Sequence, residues 1–283
     1  MRWGLGAAAV ALCLALAPSA RAGEPRRLDT RVLSASPDSA VAMVGTRSDK
    51  VRTKAGVVLP LYGGGFEPGF FLRVPGFIEL HNEVPAWIPN QLWRGRISVE
   101  GGWGWEDLLG DAFFRLALAL EHESDHGSEA PYRGFLNLNS VALRGEAVLD
   151  LGRGLTLFGS ITNRLHVHTC TIRPSTCSST GGARGARAYE LALDATIDQK
   201  LGRARSTPFG FHVFGSLHAD AMLPTPGDVI GEKRAIFDLG IALATQSKGT
   251  FQLYATTFAG SDVGFLRGQR ERVELGAGLR WSP

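Results

Sequence analysis

After its first 22 residues the chain never gathers the roughly 18 consecutive apolar residues that a membrane helix requires, and this lack excludes a helical membrane protein. An excess of charge is missing too. Without Arg2 and Arg21 the 30 basic residues become 28, against 27 acidic ones, so nothing draws the surface as a whole toward nucleic acid. No P-loop, dinucleotide-binding glycine fingerprint or nucleic-acid module is present. Cysteine is nearly absent, with three in 283 residues. Cys13 lies in the leader, and Cys170 and Cys177 are too few for a structural zinc cluster; in an exported chain their closeness predicts a disulfide within one loop.

What is present begins with an export signal. Arg2, the apolar run Leu5 to Leu16, the helix-breaking Pro18 and the small-residue box Ala20-Arg21-Ala22 predict a secretory signal peptide over residues 1–22. Residues 23–48 are expected to form an N-terminal periplasmic segment and residues 49–283 the folded domain.

Beyond that point the dominant signal has period two. In "DAFFRLALALEH" Phe114, Leu116, Leu118 and Leu120 alternate with Arg115 and Glu121; in "YELALDATID" Tyr189, Leu191, Leu193 and Ile197 alternate with Glu190, Asp194 and Asp198. Eight successive segments of about ten residues read this way, separated by Gly-rich or polar turns. One face is aliphatic and the other carries charge after charge. Short connections alternate with long ones, the arrangement of barrels that cross an outer membrane with strands. The expectation is all-β: a transmembrane antiparallel up-and-down β-barrel of twelve strands, with ten as the alternative count. Leu116, Leu118, Leu143, Leu149, Leu193, Leu239 and Leu279 should face lipid. Within residues 49–90, "AGVVLPLYGGG", "GFFLRVP" and "GFIELHNEV" are expected to supply three strands. The ending "VELGAGLRWSP" resembles the terminal assembly signal of bacterial outer-membrane barrels, which implies the barrel-assembly machinery as a partner and the outer membrane as the location.

Against this pattern the stretch "HESDHGSE", His122 to Glu129, is unexpected. His122 and Ser124 share the parity of Leu116 to Leu120, so both side chains should emerge on the lipid side at the outer rim. A histidine two positions from a serine on a strand can take its proton and activate it. Parity on the returning strand puts Asn137 and Asn139 on the same face, where either would orient the imidazole. Asp125, His126 and Glu129 form a weaker candidate metal site, with Ca2+ the hard cation such a rim would hold. "HESDH" also reads as a zinc-binding His-Glu-x-x-His, but that chemistry needs a helix, and the preceding leucines alternate as a strand. His166 and His168 share the opposite, lumenal parity. A histidine pair there serves hydrogen-bonded packing more often than metal binding.

The arrangement resembles outer-membrane phospholipase A, a family of twelve-stranded barrels whose His-x-Ser-Asn-Gly motif, followed by a downstream Asn, builds a lipid-facing triad; lipid A deacylases use a related His-x-Ser. His122 and Ser124 match as base and nucleophile, and Asn137 or Asn139 as the orienting residue. Asp125 stands where that motif has Asn, and His126 precedes Gly127. The resemblance implies a lipid esterase acting on phospholipid or lipopolysaccharide. The alternative is a non-enzymatic barrel, structural or a narrow pore.

Overall fold

The computed structural model describes residues 41–47, 50–63, 68–83, 92–107, 111–127, 134–170, 188–201, 209–224, 232–245, 249–260 and 272–282. In them twelve strands close into one antiparallel barrel. They are β1 (Val41–Arg47), β2 (Lys50–Tyr62), β3 (Gly69–Glu83), β4 (Leu92–Glu106), β5 (Ala112–Gly127), β6 (Gly134–Gly152), β7 (Leu155–Cys170), β8 (Ala188–Leu201), β9 (Phe209–Pro224), β10 (Glu232–Thr245), β11 (Gly249–Gly260) and β12 (Arg272–Ser282). Each pairs with its neighbours in sequence, and β1 seals the wall against β12 in the register Val44 to Leu279.

Twelve is the expected count, but the first strands are drawn differently from the sequence reading. The barrel begins at Val41 rather than at residue 49, because β1 is wall and not periplasmic segment. Its residues Val41-Ala42-Met43-Val44 are apolar at both parities, so period two does not reveal it. "GFFLRVP" and "GFIELHNEV" are one strand, β3, running through Pro75. A proline cannot donate to a ladder. The pairing with β4 accordingly lapses at Val74 and Pro75, then resumes at Gly76 in the same register.

Side chains sort by parity. On β5 Leu116, Leu118 and Leu120 stand out from the wall, Leu118 with 56% of its surface exposed, while Arg115, Ala117, Ala119 and Glu121 are buried inside. Leu143, Leu193, Leu239 and Leu279 are likewise exposed, and Leu149 is half-buried on the same face. A continuous aliphatic exterior of this extent is untenable in water, and it is the belt that a bilayer requires. Trp103 and Trp105 are exposed near one end of that belt, the level at which amphipathic rings settle.

The interior is a ribbon of alternating charge. Arg73 donates twice to Glu100 (2.9 and 3.0 Å), which also accepts from Arg144 (3.3 Å). Arg144 lies 3.6 Å from Glu121. Glu121 accepts from Arg164 (2.6 Å), and Arg164 reaches on to Glu190 (2.7 Å). Arg115 pairs with Glu146, and Arg96 with Glu123 (2.7 Å). Buried ions cost several kcal/mol each unless partnered in good geometry, so a lumen patterned with both signs must close on itself. On the far wall Tyr254 lies across Gly278, where an added Cβ would meet the ring at 2.7 Å.

The connections differ between the two ends of the barrel. β6 and β7 are joined by Arg153 and Gly154 alone, both at positive φ (54° and 78°), the two-residue turn whose twist matches the flanking strands. Asp150 supports it by accepting from the Gly152 amide (2.8 Å). The longest connections lie at the opposite end, 17 residues between β7 and β8 and 11 between β11 and β12, although β1 and β2 are joined there by two residues. In outer-membrane barrels short turns face the periplasm and long loops the outside; the end of β5, with His122 and Ser124, lies at the end of this barrel that carries its longest connections.

Candidate lipid-facing site

β5 positions the pair. Because its side chains alternate without a bulge against β4 and β6, His122 and Ser124 leave the wall on the same side as Leu116, Leu118 and Leu120. His122 is exposed there and Ser124 half-buried. On β6 the register sets Asn139 opposite His122 and Asn137 opposite Ser124. Directly opposed residues have Cβ atoms about 4.5–5.5 Å apart, and the two side chains meet: His122 Nδ1 lies 2.8 Å from Asn139 Oδ1. An amide oxygen can only accept, so Nδ1 carries the proton. In the neutral ring the lone pair is then on Nε2, the state a general base needs. The side chains of Asn137, Asp125 and His126 lie outside the described residues, as do Glu129, the Cys170 side chain and Cys177.

The barrel holds a second serine and histidine on its inner side, which the sequence pattern did not reveal. Ser140 Oγ is 2.6 Å from His166 Nδ1, and His166 Nε2 is 3.0 Å from Glu190, itself paired to Arg164. All four residues are buried. Ser140 and His166 are directly opposed in the register that runs unbroken from Asp150 and Thr156, and a bulge follows just beyond them, where Asn139 pairs with His168. Parity alone cannot foresee that shift. It also pairs His166 and His168 with β6 residues of opposite parity, removing the shared register expected of them.

No family model matches the chain, and no curated protein matches it by sequence. Among solved structures the chain is similar to outer membrane phospholipase A from Escherichia coli, with a TM-score of 0.50 at 12% identity over 86% of this chain and 90% of that one. It is similar as well to the NanC porin (TM-score 0.44, 13% identity, 86% and 98% covered) and to the β domain of the Bordetella autotransporter BrkA (TM-score 0.45, 14% identity, 86% and 98% covered). At such identities the likeness is one of fold. Closed twelve-stranded wall, apolar belt and charged interior define the class: the protein is a bacterial outer-membrane β-barrel.

Proposed function

We propose that this barrel is a lipid esterase that hydrolyses acyl ester bonds of outer-membrane lipids from the membrane side of its wall. The observation that carries the reading is the hydrogen bond between His122 and Asn139 on the lipid face, with Ser124 on the same strand face one pleat further out. In this scheme Ser124 Oγ attacks the ester carbonyl and its proton passes to His122 Nε2. The bond to the alcohol breaks as that proton moves to the leaving oxygen. Water, deprotonated by the same imidazole, then releases the fatty acid and restores Ser124. Asn139 holds the ring by accepting from Nδ1. A site on this face meets a lipid carbonyl without withdrawing the lipid from the bilayer.

The interior supports the enzyme over the pore. Glu100, Arg115 and Arg144 expose at most 4% of their surface, whereas the walls of a water-filled channel are wet. The test is release of fatty acid from phospholipid and from lipid A by outer membranes carrying wild type, Ser124→Ala or His122→Asn. Loss of the nucleophile or base should lower turnover by about three powers of ten or more, because members of such a unit fail together. Equal release from all three, with folding confirmed by heat-modifiable migration, would end the esterase reading.

A further inference from the structure

We infer that one acyl chain of the substrate lies in a groove that runs sideways along the outer wall from Ser124 across β4 and β3 to β2, and that Gly95 and Gly76 keep this groove open. The inference rests on the proposed esterase reading for what the groove serves, and on the strand register for its course.

Two cross-strand rows define it. In the first, Val57 pairs with Gly76, Gly76 with Ile97, Ile97 with His122 and His122 with Asn139. In the second, Ala55 pairs with Ile78, Ile78 with Gly95, Gly95 with Ser124 and Ser124 with Asn137. Every position in these rows has lipid parity, and in each row one is glycine. Gly95 is the cross-strand neighbour of Ser124, so no side chain fills the space beside the hydroxyl on the β4 side. Gly76 opens the next gap along, diagonally, between Val57 and Ile97. The result is a depression of about 500 Å³ with His122 and Ser124 among its lining residues. Val57, Ile78 and Ile97 rise from its edges, each more than half exposed. From β2 to β5 it spans three strand spacings of about 4.8 Å.

Shape alone would not single it out. A second apolar groove of about 440 Å³ crosses β7 to β10, where Gly215 interrupts a wall of Leu157, Ile197 and Leu239. The described lining of that groove contains no histidine. What distinguishes the first is continuity with the His122 and Ser124 pair. The occupant follows from its setting: on the lipid face of a membrane barrel the molecules in reach are lipids, and an apolar trough leading from a reactive hydroxyl fits the acyl arm of the ester that hydroxyl attacks. The two glycines would act as specificity residues, setting how much chain is gripped.

The experiment compares Gly95→Leu, Gly76→Leu and, in the second groove, Gly215→Leu. The added Cβ of Gly215→Leu finds only ordinary contacts, 3.6 Å at the nearest. Each variant is assayed on a palmitoyl phospholipid and on a soluble acetyl ester. Gly76→Leu should lower kcat/KM for the palmitoyl substrate by about tenfold or more, the effect of exposing a few methylenes, with the acetyl ester unaffected; Gly95→Leu, beside the hydroxyl, should cost the palmitoyl substrate more than the acetyl ester, and Gly215→Leu should change neither. Equal loss on both esters, or no loss, overturns the groove. A binding measurement on the unaltered chain separates this from failure of the esterase reading. In vesicles of phosphatidylcholine carrying a diazirine at the acyl terminus, crosslinks should concentrate on Val57, Ile78 and Ile97 over Ile197 and Leu239, even in Ser124→Ala. Crosslinks spread evenly round the belt refute the groove whether or not the protein hydrolyses lipid; concentrated crosslinks without turnover uphold the groove and end the esterase.

Discussion

His122 and His166 stand two strands apart in the same wall, each within hydrogen-bond reach of a β6 side chain, yet they face opposite media. His166 is sealed among Ser140, Glu190 and Arg164, every ring nitrogen partnered and every neighbouring charge answered. His122 bonds Asn139 through Nδ1 and is exposed on the lipid face. Inside, the partners around His166 stabilise the barrel and leave no opening there for a substrate. Outside, the imidazole is held through Nδ1 and its residue lines a groove. The same residue types thus become packing or candidate chemistry according to what surrounds them.

The largest test of this contrast exchanges the roles. His122→Ala should lower fatty-acid release by about three powers of ten or more and barely alter resistance to denaturant, whereas His166→Ala should do the reverse; turnover that follows His166 would break the comparison. Next, Arg144→Ala takes one of two guanidinium partners from each of Glu100 and Glu121, which keep Arg73 and Arg164, so the cost should fall below the ~3–5 kcal/mol of a buried pair broken outright. Denaturant titration of the folded fraction should show the loss, with hydrolysis per folded molecule near wild type. Smaller is Asn139→Ala, which frees the imidazole without removing it. A drop of about 10- to 100-fold in turnover is expected, as for outer partners that orient a metal-bound imidazole, and Asn139→Asp should recover part of it. The least is Ser140→Ala, worth about 1 kcal/mol of stability for one lost hydrogen bond and nothing in activity.

Much of this arrangement was legible in the residues, and what was not has definite causes. Period two revealed β5 to β12 because each has one aliphatic and one polar face, and the same parity placed His122, Ser124 and Asn139 on the lipid side. β1 escaped because its apolar residues fall on both parities, and Pro75 read as a break although β3 runs through it. The charges of the lumen were visible as a face, but their pairing was not: Arg73 meets Glu100, and Arg164 meets Glu121, only once strand register is fixed. The Ser140–His166 contact is of the same kind, since the two residues face one another only once β6 and β7 are in register. The open groove beside Ser124 has the same origin, since the neighbour Gly95 is set by register and not by sequence distance.

The most direct measurement is covalent capture of the reactive hydroxyl. Outer membranes holding the barrel are treated with a long-chain fluorophosphonate, which forms a stable ester with a serine only when a neighbouring base activates it, and the labelled peptide is identified by mass spectrometry. The account predicts a single adduct on Ser124, abolished in His122→Ala and retained in His166→Ala; an adduct on Ser140, or none on a folded barrel, would contradict it.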